Sequence, residues 1–326
     1  MKKVVLCIPI HNAVLTLAET LDTLLAQDYP IHKINLFNNA STDATAGIIG
    51  KYKSLHSNIE VHTNDVLVSA EDNFTRCISA SEGDYTAIVH SDDLYEKNFI
   101  SEAVKVFELN DECVAVFCHA REVDMKGVVM GERFLPPFLK KQKLNFMSYR
   151  ELLQHSLNYA NFITCPSAIV RSYVYKDIIC TWNGRDFRTS ADLDVWLRIS
   201  KIGLVCFNSS PLMRYRVGST SFSFRLAKVR VKRHELFLVL EKYLHESLDW
   251  LPESSLDDYR FLNMKDEAFR IINSYKNKAD FKLLGPLPPV DLGLVIKRLF
   301  RSKWHFKISG GILLSRILLL TKRNHG

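Results

Sequence analysis

Short apolar runs alternate with segments of helical periodicity over the N-terminal part of the chain. The first run, at 4–8, is continuous, as expected for a strand buried on both faces, and further strands are predicted at 34–37, 59–62, 85–89 and 113–119. Apolar residues at helical spacing predict helices over 14–27, 44–53, 69–81 and 192–200. Alternation at this spacing predicts an α/β fold with a doubly wound, mostly parallel sheet flanked by helices.

The pattern becomes purely helical after residue 222. One stripe consists of Leu236, Phe237, Leu240, Tyr243 and Leu244. We therefore predict two domains, an α/β domain over 1–221 and a helical C-terminal region over 222–326. The Pro- and Lys-rich stretch 131–148 is predicted to be a loop over the site, and no run of 18 or more apolar residues predicts a membrane span.

Polar residues follow three of the predicted strands. They are Asn12, the turn 38–43 and the pair Asp92-Asp93. Because ligands of open α/β sheets bind at the carboxyl ends of the strands, we expect these three groups to converge on one crevice.

Adjacent carboxylates at Asp92 and Asp93 repel each other unless a cation lies near them. Oxygen ligands suit Mg²⁺ or Mn²⁺, and such cations also hold substrate phosphates. The alternative is that one of the pair caps a helix that begins near Tyr95.

Three further groups also have two interpretations. The turn 38–43 could recognise the edge of a nucleobase through Asn and Asp side chains, or it could only form a turn and a helix cap. Asp192 and Asp194 could include a general base, or they could interact only with a helix dipole. The cluster of Arg214, Tyr215 and Arg216 could clamp a diphosphate or lie in a solvated loop.

Together, these groups resemble the motifs of glycosyltransferase family 2, inverting enzymes with a GT-A fold. The matching segments, in chain order, are Pro9-Ile10-His11-Asn12, Asn38-Asn39-Ala40-Ser41-Thr42-Asp43, Asn73 before Gly83-Asp84-Tyr85, His90-Ser91-Asp92-Asp93, Ala191-Asp192 before Trp196-Leu197-Arg198, and Tyr215-Arg216 before Ser219 to Ser221. The resemblance covers about residues 1–221.

The resemblance implies transfer of a sugar from a nucleotide-sugar, with a UDP-sugar favoured, to a hydroxyl of a glycan or lipid-linked acceptor in surface polysaccharide synthesis. It implies that Asp192 is the general base. It also implies that Asp92 and Asp93 hold a Mn²⁺ or Mg²⁺ ion, with His90 as a third ligand. The residues expected to bind the nucleotide-sugar are Pro9, His11, Asn12, Asn38, Asn39, Asp43, Asn73, Ser91, Asp92 and Arg216.

Three positions depart from the family pattern. Asn38 stands where an Asp is usual, His90 replaces the first Asp of the D-x-D motif, and Ala191 replaces a Glu. They leave open a second function, that of a sugar-nucleotide-binding protein or partner subunit without catalysis. A nucleotidyltransferase is not favoured, because the first strand is not followed by a Gly-rich loop.

The net charge of +7 is unevenly distributed, with about +9 in residues 222–326 and about −2 in 1–221. Residues 291–326 hold eight Lys and Arg against Asp291, with aliphatic runs between them. This predicts a helix lying on an anionic membrane, so that the protein is peripheral at the cytoplasmic face. The alternative is a helical pair packed on the first domain with its charges in solvent. Nucleic acid is not predicted as a partner, because stacking aromatics are few there.

Seven cysteines form no C-x-x-C pair, and several lie in apolar runs. They are predicted to be reduced, buried thiols of a cytoplasmic protein.

Overall fold

The computed structural model describes residues 1–218, 230–277, 284, 287 and 289–323. The chain forms two compact units, the first of Met1–Leu152 with Phe162–Gly218 and the second of Leu153–Asn161 with Ser219–Gly326. The predicted boundary at 221/222 and the motif serines Ser219 to Ser221 lie outside the described residues.

The first unit contains one sheet of ten strands. They are β1 (Val4–Ile10), β2 (Ile31–Asn39), β3 (Ile59–Asn64), β4 (Tyr85–Ile88), β5 (Leu94–Tyr95), β6 (Cys113–Val123), β7 (Val129–Glu132), β8 (Leu144–Met147), β9 (Ile169–Arg171) and β10 (Leu204–Arg216). The order is β3-β2-β1-β4-β9-β6-β10-β5, with β7 paired to β6 and β8 to β10.

Helices flank this sheet. They are α1 (Leu17–Leu25), α2 (Thr45–Leu55), α3 (Ala70–Ser79), α4 (Phe99–Leu109), α5 (Tyr149–Tyr159), α6 (Gly184–Phe187) and α7 (Ala191–Ser200). Short 3-10 turns lie at Pro137–Lys140, Cys165–Ser167 and Arg188–Ser190, and a π-helical turn lies at Val174–Ile179. The α/β sheet with flanking helices is confirmed, and each predicted strand and helix of this unit overlaps an observed one.

The sheet as a whole is mixed. β3, β2, β1 and β4 are parallel neighbours, as predicted. β9 then lies antiparallel between β4 and β6, although β6 and β10 are again parallel. Part of the predicted loop 131–148 is strand β8, which pairs antiparallel with β10. Alternate residues of β8, Asn145 and Met147, are buried, but the lysines before the strand obscure this alternation in the sequence.

The core of the first unit follows from its apolar pattern. Val4–Ile8 of β1 is buried throughout, since both faces of the strand are covered. Leu17, Leu21 and Leu24 of α1 are fully buried in the same cluster. Such burial stabilises the fold by about 1.5–3 kcal/mol for each large apolar side chain.

The Gly83-Asp84-Tyr85 motif joins β4 to the start of β1. Gly83 has φ +70°, and a Cβ there would lie 2.9 Å from the carbonyl oxygen of Lys3. Asp84 Oδ2 accepts a hydrogen bond from the Lys3 amide at 2.7 Å. Since this contact lies where β1 begins, the motif aligns the strands from the edge opposite the predicted site.

The second unit is helical in its described residues. Besides the end of α5, it contains α8 (Leu236–His245), α9 (Glu253–Lys276), α10 (Leu292–Leu299) and α11 (Lys303–Arg323). Of the predicted stripe on α8, Leu236, Phe237, Leu240 and Tyr243 are buried and Leu244 is half-buried. A small core joins α9, α10 and α11, and none of the described helices is long and apolar enough to cross a membrane.

The seven cysteines are free thiols in the described structure. Five of them are buried, Cys165 is half-buried and Cys180 is exposed. The prediction of reduced thiols therefore agrees with the structure, although burial does not extend to all of them.

Candidate functional site

The loops after β1 and β2 hold each other through side chains. Asn12 has φ 49°, a left-handed conformation that Asn tolerates better than most residues. Its Oδ1 accepts a hydrogen bond from the Thr42 amide at 2.8 Å, and its own amide donates to Ser41 Oγ at 3.1 Å. His11 Nδ1 lies 2.8 Å from the carbonyl oxygen of Asn39. The two loops therefore present one joined surface.

Asp43 fastens the same two loops. Its carboxylate accepts hydrogen bonds from the amides of Thr45 at 3.0 Å and Val14 at 3.2 Å. The bond with the Thr45 side chain, followed by these amides, holds the pKa of Asp43 below its usual value. Asp43 therefore stays ionised at neutral pH, and the turn 38–43 is at least a structural turn.

Asn39 and Asn73 are buried behind the loops that follow β1 and β2. Asn39 exchanges hydrogen bonds with the backbone of Val68 at 2.9 and 3.0 Å and accepts one from Asn64. Asn73 reaches from α3 to the carbonyl oxygen of Phe37 on β2 at 3.2 Å. Both amides are occupied by protein partners, so the structure gives them a supporting position beside the predicted nucleotide site.

Asn38 differs from these two amides. Its Oδ1 accepts a hydrogen bond from the Ser41 amide at 3.2 Å, and among the described residues none accepts from its Nδ2. On the neighbouring strand, Pro9 pairs with Phe37 in the parallel register. Ser91 lies in the loop after β4, and its carbonyl oxygen accepts a hydrogen bond from Thr16 Oγ1 at 3.0 Å. This bond joins the loop after β4 to the chain that follows β1.

Asp93 is a buried carboxylate beside a second carboxylate. It is fully buried, and its Oδ1 accepts a hydrogen bond from the Arg216 amide at 2.8 Å. Its Oδ2 has no hydrogen-bond partner among the described atoms, and His90 Nδ1 lies 3.7 Å from it. Burial, and then the charge of Asp92, raise the pKa of Asp93 well above its usual value. An ionised Asp93 is therefore costly unless a cation lies close to it.

His90, Asp92 and Asp93 meet the geometry of a cation site. One ligand atom from each lies within 4.8 Å of the other two. Burial lowers the pKa of His90, so the imidazole is neutral and offers a lone pair. Since the buried Asp93 Oδ2 and His90 Nε2 both lack partners, the donor set fits a divalent cation.

The alternative that Asp92 or Asp93 caps a helix near Tyr95 is wrong. Leu94–Tyr95 is strand β5, and α4 begins only at Phe99. The sequence suggested a helix there because the polar residues that precede it resemble a cap. Instead, β5 pairs with β10, which fixes the backbone immediately after the two carboxylates.

An aromatic layer covers His90, and the sequence did not reveal it. Phe74 meets the His90 ring edge-on at 5.7 Å between centroids, and it stacks on Trp182 at 4.5 Å. Trp182 in turn meets Trp196 of α7 edge-on. These rings exclude water from one side of the imidazole, which explains why burial dominates its pKa. Because the rings are far apart in sequence, no local pattern predicts this layer.

Arg216 supports the Asp92–Asp93 turn through its whole guanidinium. Nε donates to the carbonyl oxygen of Asp92 at 2.7 Å, and one terminal nitrogen donates to that of Met125 at 2.8 Å. The other terminal nitrogen donates to Glu19 Oε2 at 2.7 Å. The predicted contact of Arg216 with a diphosphate stays a prediction. In this structure its side chain is buried among protein partners, of which Glu19 was not predicted.

The two aspartates of α7 have different environments. Asp194 is fully buried, accepts a hydrogen bond from Arg198 Nε at 2.8 Å and another from Asn183 at 3.1 Å. Arg198 also donates to the carbonyl oxygens of Ile179 and Thr181, so Asp194 organises the preceding loop. Asp192 is only half-buried, and its Oδ1 accepts from the adjacent amide of Leu193.

Cys165 marks where Asp192 lies relative to the carboxylate pair. Burial raises the pKa of this thiol, and the negative charges of Asp192 and Asp93 raise it further. Both carboxylates are therefore close to the same thiol. The charges of Asp192 and Asp93 therefore act on the same thiol, although Asp192 lies on helix α7 and was not among the groups expected to converge at the strand ends.

Comparison with known proteins adds an independent observation. A family model described as glycosyl transferase family 2 matches residues 5–179. The putative glycosyltransferase EpsE of Bacillus subtilis is 26% identical over 227 residues, which cover 68% of this chain and 75% of that protein. The putative teichuronic acid biosynthesis glycosyltransferase TuaG, also of B. subtilis, is 21% identical over 243 residues, or 74% and 90% of the two chains.

Two solved structures share the architecture. S. aureus TarS 1–349 in complex with UDP-GlcNAc has a TM-score of 0.56 at 14% identity, covering 92% of each chain. The mannosyltransferase PcManGT from Pyrobaculum calidifontis, in complex with GDP-Man and Mn²⁺, has a TM-score of 0.52 at 16% identity. That similarity covers 97% of this chain and 86% of the mannosyltransferase.

Proposed function

Because the chain belongs to glycosyl transferase family 2 and is a glycosyltransferase, we propose that it moves a sugar from a nucleotide-sugar to an acceptor hydroxyl with inversion at the anomeric carbon. Its fold is the GT-A fold, in agreement with the prediction. One observation carries the proposal: ligand atoms of His90, Asp92 and Asp93 lie within 4.8 Å of one another, an arrangement that fits a divalent cation on the diphosphate of a donor.

His90, Asp92 and Asp93 would hold a divalent cation. A bound cation supplies Lewis-acid neutralisation of the charge that develops on the departing nucleoside diphosphate. The imidazole favours Mn²⁺ over Mg²⁺, because Mg²⁺ is held mainly by oxygen ligands. The Mn²⁺ in the mannosyltransferase of similar fold supports this assignment.

Asp192 is the proposed general base. Its half-buried carboxylate can meet a hydroxyl that arrives from solvent, whereas Asp194 is fully buried and bonded to Arg198. Asp192 takes the proton of the acceptor hydroxyl as that oxygen bonds to the anomeric carbon and the bond from this carbon to the diphosphate breaks. Attack from the opposite face gives inversion, through a transition state of oxocarbenium character.

The donor is proposed to be a UDP-sugar. Asn38 Nδ2 can donate a hydrogen bond to a carbonyl of the base, because its Oδ1 already accepts from Ser41. The UDP-GlcNAc in the TarS structure supports uracil, whereas GDP-Man in the mannosyltransferase makes guanine the competitor to test.

The acceptor is proposed to be a glycan or a lipid-linked glycan used in surface polysaccharide synthesis. The relative TuaG, which is named for teichuronic acid biosynthesis, supports this class of product. A lipid-linked acceptor would place the enzyme peripherally at the cytoplasmic face of the membrane, as the basic C-terminal region also predicts.

The deciding experiment follows nucleoside diphosphate release from a panel of UDP- and GDP-sugars with Mn²⁺, using membrane extract as the acceptor source. We expect release from a UDP-sugar, loss of release with chelator, and recovery when Mn²⁺ is restored. A protein that binds a donor but releases no nucleoside diphosphate from any of them would be the non-catalytic partner subunit instead.

A further inference from the structure

Helix α11 buries polar residues and exposes apolar ones, which is the reverse of an ordinary surface helix. His305, Ser309 and Ser315 are each at most 1% exposed. On the opposite side, Phe306 and Ile317 expose 59% and 57% of their surface. Large apolar side chains that are exposed together on one helix face mark a surface that binds a partner.

Hydrogen bonds and a small core fix the orientation of α11. Ser315 Oγ donates to the carbonyl oxygen of Ile312 at 2.7 Å, and Ser302 Oγ lies 2.8 Å from His305 Nδ1. Ile312 packs in the core shared with α9 and α10. The buried hydroxyls have acceptors and Ile312 packs in the core. Rotating the helix to bury its leucines would break these contacts, so the leucines stay exposed.

Helix α10 continues the exposed apolar surface. It buries Leu294 and Val295 but exposes Ile296, and Phe300 just after it is 83% exposed. We call the combined surface the outer face. Its members are Leu292, Ile296, Phe300, Phe306, Leu313, Leu314, Ile317 and Leu320.

Half of the eight basic residues counted from the sequence are paired with acids of α9. Arg298 is buried against Asp258, which also accepts a hydrogen bond from Arg301 at 2.9 Å. The two remaining pairs are Lys297 with Asp257 at 3.1 Å and Arg316 with Glu267 at 2.9 Å. These cations hold the helices together, so the attraction to an anionic surface is smaller than the net charge suggests.

Lys303 and Lys307 remain exposed at the edge of the outer face. Neither forms an ion pair within the described part of the chain. Between 289 and 323 the only acidic residue is Asp291, which caps α10 through a bond from the Leu294 amide. The outer face is therefore apolar with a basic border.

We propose that the outer face of α10 and α11 docks on an anionic lipid bilayer, with its apolar side chains in the interfacial region and Lys303 and Lys307 at the phosphates. This deepens, and rests on, the peripheral location proposed above. A second copy of the chain fits less well, since twofold contact through this face would set lysines against lysines with no carboxylate between them. The apolar part of the attraction persists at high salt, whereas the part contributed by the two lysines is screened by salt.

The test is flotation of the full chain with vesicles of phosphatidylcholine alone or with phosphatidylglycerol. Phe300→Ser combined with Phe306→Ser should weaken binding on the order of 100-fold on both vesicles, since two exposed aromatic side chains are lost. Lys303→Gln with Lys307→Gln should weaken it roughly 20-fold on anionic vesicles only. Leu238→Ser, on α8 and 46% exposed, is the matched control and should bind as the wild type does.

Several outcomes would overturn the proposal. One is unchanged flotation of the double phenylalanine variant, and another is an equal loss in Leu238→Ser. A third is a shift of wild-type oligomeric state in gel filtration that the phenylalanine variant abolishes, which would assign the face to a second copy. Nucleoside diphosphate release measured with detergent-solubilised membrane extract as the acceptor source should be unchanged in the phenylalanine variant, so a failure of the catalytic proposal is seen separately.

Discussion

Two buried aspartates, one in each unit, show opposite charge balance. Asp93 lies beside Asp92, a like charge, and the guanidinium of Arg216 is directed at carbonyl oxygens and Glu19. Asp258 of α9 lies against both Arg298 and Arg301. The charges of Arg133 and Arg216 lower the pKa of Asp93 less than burial and Asp92 raise it, and no Arg or Lys of the described residues forms an ion pair with it, so a bound cation would complete the balance. The second arrangement supplies its own positive charges, so it holds helices together and needs no ligand.

The same contrast separates the two aspartates of α7. Asp194 is fully buried and paired with Arg198, whereas Asp192 is half-buried and its charge raises the pKa of Cys165, as that of Asp93 does. A buried carboxylate bonded to an arginine thus marks framework in both units.

The largest expected effect is that of Asp192→Asn. Loss of the general base should lower turnover by about 10³-fold, while donor affinity stays within roughly twofold, because the amide keeps the size of the side chain. Nucleoside diphosphate release and donor titration measure the two quantities. Asp111→Asn, which changes a fully exposed carboxylate before β6, is the control. Loss of donor binding in Asp192→Asn would show that Asp192 belongs to the framework, as Asp194 does.

The second prediction concerns the buried ion pair of Arg298 with Asp258. Arg298→Met leaves Asp258 buried with one partner fewer, and it should cost about 3–5 kcal/mol in the stability of the C-terminal helices. Replacing both residues, Arg298→Met with Asp258→Leu, should restore most of this stability, since no buried charge then lacks its partner. Hydrogen exchange at the amides of α9 and α10 reports the difference. Equal destabilisation by the single and double variants would contradict a purely structural role for the pair.

The smallest expected effect concerns Arg216. Arg216→Lys keeps the charge but loses the planar fork that supports the Asp92–Asp93 turn, so about 10-fold more Mn²⁺ should be needed for half-maximal activity. Arg214→Lys, on the same strand and paired with Glu96 at 3.3 Å, is the control. If donor affinity falls while the metal requirement is unchanged, Arg216 contacts the diphosphate as the resemblance first implied.

Local periodicity predicted five of the ten strands of the first unit, β1 to β4 and β6, and the four helices α1, α2, α3 and α7, because these segments carry their own apolar pattern. β8 escaped prediction because only two of its four residues are buried, next to lysines. The aromatic layer over His90 escaped for another reason. Phe74 and Trp182 are joined only by the folded chain, and neither neighbourhood in sequence suggests a partner.

The sequence alone therefore determined the fold class, the order of the polar groups and their position at strand ends, since these depend on residues close together in the chain. Only the tertiary structure decided which charges are cancelled. It paired Asp194 and half of the basic C-terminal residues, and it left the buried Asp93 beside Asp92 with no ion pair to an Arg or Lys of the described residues. The tertiary structure also fixed which side of α11 is exposed. That side depends on the hydrogen bonds of the buried hydroxyls and on the side chains that pack in the core with α9 and α10.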